Sequence, residues 1–390
     1  MRRRGTALAA VAAMMLTGTL AGCASGTSGT SAESGGAVKV GVVTSTSGLV
    51  AAYGKQFTEG FKAGLSYATK GTGEAGGTKI EVTYHDDASD PAKATATATD
   101  LIGKGYKILT GSVSSGVATQ LAPLADQNKV LFISGAAAAD TITGANDHTF
   151  RSGRQTWQDV KAAESFLGTV KGKTVMVFAQ DYAFGKANVA AVEAVLGKAG
   201  GATVKPVLVP LKTTDFTPFA RQVIDAEPDL LFVAWAGDTA ANMWRTLAQQ
   251  KVFDSTKVVT GLADRATFDT FGPAAGKINF LAHYFAEASG NEPAKAMAKE
   301  LGTTPDIFHT DGFTAAQMVV RAVEQGGDTA KMIKGLEGWS FTGPKGEMTV
   351  RPEDHALLQP MFLAGLEGTT PKLNGVLPQE KVAPPVSEGK

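Results

Sequence analysis

The sequence predicts an α/β protein with two lobes, each built on a parallel β-sheet that helices cover on both faces. Short runs rich in β-branched residues alternate along the chain with stretches whose apolar residues recur at helical spacing. Strands that alternate with helices in this way form parallel sheets buried on both faces. The alternation continues through most of the 390 residues, more than one hydrophobic core normally spans, so two lobes are expected.

Seven β-rich runs are the predicted strands: VKVGVV from Val38, KIEVTYH from Lys79, KILTGSV from Lys107, VLFISG from Val130, TVMVFAQ from Thr174, DLLFVAWAG from Asp229 and KVVTGL from Lys257. Helical spacing is clear between them, over 57–65 and 216–224. Asp90 followed by Pro91 predicts a helix that begins with aspartate as its N-cap, and Ser115 or a neighbour is predicted to precede another helix.

The N-terminal stretch predicts export. Three arginines at 2–4 precede an apolar run, GTALAAVAAMML, that is too short to span a bilayer. The residues before Cys23 resemble the bacterial lipobox, so we expect 1–22 to be a lipoprotein signal peptide and Cys23 to carry the lipid. An ordinary signal peptide that leaves a free thiol is the alternative. Residues 23–37, rich in Gly, Ser and Thr, are the predicted flexible tether.

Composition excludes several classes of protein. Lysine plus arginine (37) balances aspartate plus glutamate (37), so charge gives no support for a nucleic-acid partner. With a single cysteine, no internal disulfide can form. No apolar run after the signal reaches the length of a membrane span. We therefore expect a soluble body and a small-molecule partner.

Catalytic and cofactor motifs are poorly matched. The sequence lacks the G-x-S-x-G elbow of a serine hydrolase, and its five histidines show no metal-type spacing. The GTGEAG run at 71–76 follows a helical pattern and precedes a strand, the wrong order for a dinucleotide site. The HDD run at 85–87 is more typical of turn and capping residues than of metal ligands. No enzymatic activity, cofactor or metal is expected.

The segments after the predicted strands are the expected ligand site, because ligands of parallel sheets bind beyond the carboxyl ends of the strands. They are rich in hydroxyl groups, glycine and alanine, with a few aromatic residues, which suits a small polar ligand between aromatic walls. The segments are TSTSGLVAAYG from Thr44, HDDASDP from His85, GSVSSG from Gly111, SGAAAAD from Ser134, QDYAFG from Gln180, WAGDT from Trp235 and GLADRA from Gly261.

Several stretches in the same order resemble the solute-binding proteins of ABC importers, in the family of the leucine/isoleucine/valine-binding protein. They are VGVVTSTSGLVAAYGKQFTEGFKAGL, YHDDASDPAKATATATDLI, SSGVATQLAPLADQNKVLFISGAAA and the late GPKGEMTVRPEDHA. The resemblance runs from about Val38 to Leu366 and implies the type I periplasmic binding protein fold, two Rossmann-like lobes joined by three hinge strands. The implied divisions are lobe 1 at 38–154 and 284–341, lobe 2 at 155–283 and 342–367, hinges near 153–155, 283–285 and 341–344, and a tail at 368–390.

The resemblance also implies site residues in the first lobe. Tyr53 corresponds to an aromatic residue that lines the pocket, and Ser115 to a serine that binds the ligand α-carboxylate; a core tyrosine and a simple N-cap are the alternatives. Ala136 corresponds to the position that offers a backbone carbonyl to the ligand ammonium. Ala138 stands where the branched-chain binders have a threonine, so its N–H remains but the hydroxyl is absent.

In the second lobe, Phe184 corresponds to a pocket tyrosine, with Tyr182 as a competitor for that place. Trp235 lies at the end of its predicted strand, close to the position where members of the family have another aromatic residue. Asp264 is the carboxylate closest in sequence position to the glutamate that binds the ligand ammonium in the family. The alternative role for Asp264 is to pair with Arg265 or to cap the following helix. These departures argue against strict specificity for branched-chain amino acids.

The sequence therefore predicts a monomeric receptor, anchored by lipidated Cys23 to the outer face of the cytoplasmic membrane. It is expected to capture a small carboxylate-bearing solute, an amino acid or a relative, and to deliver it to an ABC permease. A receptor for a non-amino carboxylate and a surface ligand-sensing module are the alternatives.

Replacement of Cys23 by serine tests the export prediction. The Cys23→Ser variant should fold normally but appear in the soluble fraction, because the cysteine supplies the lipid attachment point. Membrane fractionation in the absence of detergent measures this, with Ser25→Ala as the control. A Cys23→Ser variant that stays with the membrane would contradict the lipobox interpretation.

Overall fold

The structure, a computed structural model, describes residues 36–387 apart from the side chain of Pro273. The predicted signal peptide at 1–22, Cys23 and nearly all of the predicted tether lie outside the described residues. No helix among the residues described combines the length and the apolar character that crossing a membrane requires.

The strands follow the predicted runs closely. In chain order they are β1 (Val38–Thr44), β2 (Glu74–Ala75), β3 (Thr78–Asp86), β4 (Ile108–Gly111), β5 (Leu131–Ser134), β6 (Thr149–Arg151), β7 (Thr174–Gln180), β8 (Thr203–Val209), β9 (Leu230–Ala234), β10 (Lys257–Gly261), β11 (Ile278–Ala282), β12 (Ser340–Gly343), β13 (Gly346–Val350), β14 (Leu357–Leu358), β15 (Met361–Glu367) and β16 (Thr370–Leu377). All seven predicted strands are confirmed, as β1, β3, β4, β5, β7, β9 and β10.

The α-helices lie mainly between the strands. They are α1 (Ala51–Ala68), α2 (Pro91–Gly103), α3 (Ser115–Gln127), α4 (Thr156–Glu164), α5 (Ala183–Val192), α6 (Thr217–Ala226), α7 (Ala240–Gln249), α8 (Val252–Ser255), α9 (Glu292–Leu301), α10 (His309–Val323), α11 (Thr329–Leu336) and α12 (Gln379–Val382), with 3₁₀ segments at Asp140–Ile142, Arg265–Lys277 and Ala286–Ala288 and a π-helical Glu193–Ala199. The predicted N-cap of α2 is confirmed, because the Asp90 carboxylate accepts the backbone N–H of Ala92 at 2.8 Å.

Two large sheets carry the two lobes. The first has the order β2-β3-β1-β4-β5-β6, and β1, β3, β4, β5 and β6 run parallel. The second has the order β16-β15-β11-β10-β9-β7-β8, in which β15 alone runs antiparallel to its neighbours, β11 and β16. In the first sheet β3 lies on one side of β1 and the next long strand, β4, on the other. In the second sheet β8 and β9 flank β7 in the same way. The strand order therefore reverses between β1 and β4 and between β7 and β9. Ligand crevices form at such points of reversal.

Each large sheet is buried on both faces, as near-continuous apolar strands predict. In β1, Val40 and Val42 pack under α1 and α10, whereas Val43 packs under α2 and α3. In β7, Phe178 and Val177 divide in the same way between the two faces of the second sheet. Each lobe therefore has its own two-sided core.

The chain passes between the lobes three times. It leaves the first lobe after β6 and enters the second at α4, so the first crossover spans 152–155. It returns after β11 near 283–285 and crosses again between β14 and β15, at 359–360. The first two crossovers fall where hinges are predicted.

The third predicted hinge, 341–344, does not fall at a crossover. Phe341 pairs with Met348 across the β12–β13 hairpin, and both side chains are buried in the first lobe. Val350 and Leu357 join the same core. We therefore propose that the second lobe resumes after β14 rather than at residue 342.

The residues after 367, predicted to be a tail, contain regular structure. β16 forms the edge of the second sheet, and Val382 of α12 is only 1% exposed in the core of that lobe. Further along, the guanidinium of Arg351 in the first lobe donates to the carbonyls of Pro384 and Pro385, at 2.7 and 3.1 Å. The C-terminal segment therefore contacts both lobes.

Helices α1 and α10 pack backbone to backbone in the first lobe. A Cβ atom at Gly60 would lie 2.0 Å from the carbonyl oxygen of His309, and one at Gly312 would lie 2.0 Å from that of Phe57. These separations are far below van der Waals contact, so only glycine permits the crossing. The contact joins a helix from the start of the chain to one from its last third.

Substitution of Gly60 tests this contact. Gly60→Ala should lower the free energy of unfolding by about 1–3 kcal/mol or more, because the new methyl group meets rigid backbone. Gly103→Ala, at the end of α2 where no heavy atom lies within 4 Å of the new Cβ, should be neutral or slightly stabilising. Urea unfolding measures both. Equal stabilities for the two variants would mean that the helices can move apart freely.

Candidate ligand-binding site

A cavity of about 520 Å³ lies between the carboxyl ends of the two large sheets. All the predicted ligand-binding residues except Asp264 line it: Tyr53, Ser115, Ala136, Ala138, Tyr182, Phe184 and Trp235. Arg154, His283 and Phe308 line it as well, and sequence reasoning did not single them out. The structure thus brings both lobes to one site.

An aromatic residue followed by glycine stands near the start of the helix that follows the first long strand of each lobe, β1 or β7. The pairs are Tyr53–Gly54 in α1 and Phe184–Gly185 in α5. A Cβ atom at Gly54 would lie 1.8 Å from the carbonyl oxygen of Ser45, and one at Gly185 would lie 1.8 Å from that of Gln180. The glycines allow each helix to begin tightly against the preceding strand, and the aromatic residues before them both line the cavity.

Both second-lobe candidates, Tyr182 and Phe184, line the cavity, with ring centroids 6.0 Å apart. Burial raises the pKa of Tyr182 above its usual range, as it does for Tyr53, so both phenols stay protonated. Trp235 donates its indole N–H to Thr239 Oγ1 at 3.0 Å, which fixes the ring. The aromatic side chains of the cavity wall are therefore uncharged.

The acidic run after β3 organises the loops on the first-lobe side. The Asp87 carboxylate is fully buried and accepts the hydroxyls of Ser45 at 2.5 Å and Ser112 at 3.1 Å, from the ends of β1 and β4. Asp86 accepts the backbone N–H groups of Thr46 and Ser47, at 2.9 and 3.0 Å. The run thus holds the loops in place. Within residues 36–387, no three potential metal-binding side chains of His, Cys, Asp or Glu come together.

Helix α3 begins at the cavity with several free hydrogen-bond donors. Ser114 is the N-cap, so Ser115 is the first helical residue rather than the cap. The N–H groups of Ser115, Gly116 and Val117 donate to no other acceptor in the described part of the chain. Ser115 Oγ accepts the N–H of Ala139 at 3.3 Å, which leaves its proton for the cavity. A helix N-terminus with free donors of this kind binds anions such as carboxylate.

The four alanines after β5 form a loop whose carbonyl groups are all engaged. The acceptors and their donors are Ala136 with Arg154 Nη1 (3.1 Å), Ala137 with Arg151 Nη2 (2.8 Å), Ala138 with the N–H and hydroxyl of Thr156 (both 2.8 Å) and Ala139 with Arg151 Nη1 (3.4 Å). The carbonyl of Ala136, predicted to meet an ammonium group, already accepts a guanidinium. The N–H of Ala138, by contrast, donates to no other described acceptor.

Arg154 brings a positive charge to the cavity. Its Nε lies 3.3 Å from Asp159 Oδ2, and its side chain is 12% exposed. Nη1 is bound to Ala136, whereas Nη2 contacts no acceptor among the described residues and is not enclosed by protein. A guanidinium offers five N–H donors and no acceptor. Nη2 is therefore a charged donor available to a ligand beside the start of α3.

Asp264 lies outside the cavity lining. Its side chain is 3% exposed and accepts the hydroxyl of Thr267 at 2.6 Å, three residues along the chain. The guanidinium of Arg265, the alternative partner, pairs with Glu287 instead. Burial raises the pKa of Asp264, with only partial opposition from the Thr267 hydrogen bond. A carboxylate in this position does not offer a ready partner to a ligand cation.

Two polar residues that sequence reasoning missed, Arg154 and His283, share one signal. Each is the first ionisable side chain after a strand that ends at a crossover, β6 and β11 respectively. A charged side chain in a segment that runs between two buried sheets must find a partner or line a cavity. The predicted hinges marked these segments, but spacing alone does not show which way a side chain points.

The chain belongs to the periplasmic binding protein family, whose profile matches residues 37–370. Proteins of this family are exported, bind small molecules and work with ABC transporters. Among curated relatives, the Leu/Ile/Val-binding protein homolog 6 of Brucella suis biovar 1 is 25% identical over 341 residues, which cover 84% of this chain and 86% of that protein.

Solved structures show the same fold. The chain is similar to an ABC-type branched-chain amino acid transporter from Rhodopseudomonas palustris CGA009, with 32% identity, a TM-score of 0.73 and coverage of 90% of this chain and 99% of that one. It is also similar to an ABC transporter solute-binding protein from Rhodopseudomonas palustris BisB5 in complex with 3,4-dihydroxybenzoic acid. That protein is 26% identical, with a TM-score of 0.77 and coverage of 88% and 98%.

Removal of the Ser115 hydroxyl tests the start of α3. Ser115→Ala should lower the free energy of unfolding by about 1–3 kcal/mol, because the buried N–H of Ala139 loses its acceptor. Thr119→Ala, which removes a hydroxyl bonded back to the Ser115 carbonyl on the same helix, should cost less than that. Thermal or urea unfolding compares them. If both variants lose the same small amount, the Ala139 contact contributes nothing.

Proposed function

We propose that this protein is a solute receptor of an ABC importer whose ligand is a small carboxylate without an ammonium group. The observation that carries the proposal is the hydrogen bond from Arg154 to the carbonyl of Ala136. A cation of the protein thus occupies the acceptor that would otherwise hold the α-ammonium of an amino acid.

Charge favours an acid over an amino acid in this cavity. A ligand carboxylate placed at the start of α3 gains the free N–H groups of the helix, the Ser115 hydroxyl and Nη2 of Arg154. An ammonium group at Ala136 would instead face the guanidinium, and like charges in a partly buried site repel. The carboxylate of Asp264 and the carbonyl of Ala136 are already engaged, and Asp159, the carboxylate that lines the cavity, is paired with Arg154.

The cavity walls favour an apolar, ring-shaped body for the ligand. Tyr53, Phe308, Tyr182, Phe184 and Trp235 contribute aromatic surface from both lobes. The rings of Tyr53 and Phe308 lie 4.1 Å apart between centroids, a packed pair rather than two mobile side chains. The relative that binds 3,4-dihydroxybenzoic acid supports an aromatic carboxylate as the ligand class.

An amino-acid ligand is the second candidate. The relative described as a branched-chain amino acid transporter, 32% identical to this chain, favours it. It requires an ammonium partner, for which Asp159 would have to exchange Arg154 for the ligand, or Asp264 would have to leave Thr267 and turn toward the cavity.

The remaining functional proposals follow from the sequence. We propose that the receptor is held at the outer face of the membrane by a lipid on Cys23, acts as a monomer, passes its ligand to a permease and catalyses no reaction. The export signal and the tether composition support the anchor. A surface sensing module on the same fold is the alternative, and assay of ligand uptake by the intact importer separates the two.

A panel of matched ligands tests the proposed carboxylate specificity. Benzoate, 3-phenylpropanoate and 4-methylpentanoate should bind and raise the melting temperature, whereas phenylalanine and leucine should not, because only the latter carry an ammonium group. Arg154→Met should weaken binding of the acids by about 1.5–3 kcal/mol, or tenfold or more, through loss of a charged hydrogen bond.

The exposed Arg245 of α7 provides the matched control, since Arg245→Met removes the same charge away from the cavity. Calorimetry measures each affinity. Binding of phenylalanine or leucine in preference to the deaminated acids, with no effect of Arg154→Met, would reverse the proposal in favour of an amino-acid receptor.

A further inference from the structure

A second polar point of the cavity lies at the crossover after β11. His283 lines the cavity with 2% of its surface exposed, and its ring centroid is 5.9 Å from that of Phe308. Its Nε2 atom lies 3.2 Å from Oδ2 of Asp311 on α10. The alignment of this contact is poor for a hydrogen bond, yet both atoms are enclosed and have no other partner among the described residues.

Asp311 is held as a carboxylate by a buried cation. Lys345, at the turn of the β12–β13 hairpin, places Nζ 2.6 Å from Asp311 Oδ1, and both side chains are fully buried. Burial acts to raise the pKa of Asp311, but Lys345 and His283 outweigh it and hold that pKa below its usual range. Lys345 also donates to Gln359 Oε1 at 2.7 Å. The pair therefore links the hairpin, α10 and the last crossover.

The ionised Asp311 determines which nitrogen of His283 carries the proton. A carboxylate can only accept hydrogen bonds, so the imidazole nitrogen that faces it must be an N–H. Burial lowers the pKa of His283 to about 4, against the opposing effect of Asp311, so the ring is neutral at neutral pH. A neutral imidazole has one N–H and one bare nitrogen. With the proton on Nε2, Nδ1 is the bare acceptor.

Nδ1 is the nitrogen that faces the cavity. It has no hydrogen-bond partner among the described residues, and unlike Nε2 it is not enclosed by protein atoms. Two charged side chains among the described residues also line the cavity: Arg154 offers only donors, and the carboxylate of Asp159 lies 3.3 Å from Arg154 Nε. The cavity thus has a donor point beside the start of α3 and an acceptor point at the crossover after β11.

We propose that His283 accepts a hydrogen bond from a hydroxyl group of the ligand, and that Asp311 and Lys345 are positioning residues that hold its acceptor nitrogen bare. The inference rests on the proposed function and narrows the ligand to a hydroxylated carboxylate. Arg154 and the start of α3 bind the ligand carboxylate, and Nδ1 of His283 accepts the hydrogen bond of the ligand hydroxyl.

Pairs of hydroxybenzoate and methylbenzoate test this assignment, since a methyl group has the size of a hydroxyl but no donor. The 2-, 3- and 4-substituted pairs are measured by calorimetry with the intact protein. For the pair substituted at one of these ring positions, the wild-type protein should bind the hydroxybenzoate more tightly than the methylbenzoate. His283→Phe should reduce this ratio of affinities by roughly two- to tenfold. Unsubstituted benzoate is measured with each variant as the reference ligand, and His283→Asn, which keeps an acceptor, should restore part of the preference.

The positioning role is tested with the charges removed together. Asp311→Asn alone would leave Lys345 unpaired in the interior, so it is combined with Lys345→Met. The double variant should lose part of the hydroxyl preference while it still binds benzoate. Nitrogen-15 NMR of the histidine rings gives a readout independent of folding stability: in the wild-type protein Nε2 of His283 should be protonated and Nδ1 bare, and only the hydroxylated acids should shift Nδ1.

The outcomes separate the two levels of the argument. If no benzoate binds to the wild-type protein, the proposed function fails and this inference fails with it. If benzoates bind but the hydroxyl preference is the same in His283→Phe, or if Nδ1 of His283 carries the proton, the inference is overturned while the proposed function stands.

Discussion

Buried charges without a partner are too costly for a folded protein, and this constraint shapes the region where the chain passes between the lobes. Three buried or half-buried cations of the described residues lie in this region. Arg151 and Arg154 belong to the first crossover or its edge, and Lys345 belongs to the turn of the β12–β13 hairpin. Their partners come from other segments: the alanine loop for the two arginines, and Asp311 of α10 for Lys345. Because each cation joins segments distant in sequence, pairing the charges also fixes the crossovers and the base of the cavity.

The same constraint underlies the proposed ligand chemistry. Arg151 is 1% exposed and uses carbonyls of the alanine loop to satisfy its guanidinium. Nη1 of Arg154 donates to the carbonyl of Ala136, and Nη2 of Arg154 is left for the cavity. The carbonyls of the alanine loop are therefore engaged within the protein, three by arginines and that of Ala138 by Thr156.

Close backbone contact is the second organising feature. Gly54 and Gly185 let equivalent helices of the two lobes start against their strands, and the aromatic residue before each glycine reaches the cavity. Gly60 and Gly312 let α10 cross α1 without a side chain between them. This crossing brings Asp311 to its place behind His283. Small residues in the scaffold thus position the polar and aromatic groups of the site.

Sequence periodicity alone determined the α/β class, the seven main strands and the loops that line the site. These features depend on the local spacing of apolar residues and on the fact that the carboxyl ends of parallel strands lie at the same edge of a sheet. Resemblance to a known family then identified Tyr53, Ser115 and Phe184, which do line the cavity. Only the tertiary structure decided that Asp264 turns to Thr267, that Arg154 occupies the Ala136 carbonyl, and that the hairpin and C-terminal residues join the lobes as they do. These outcomes depend on which buried groups far apart in sequence meet as partners, and no local pattern of residues records that pairing.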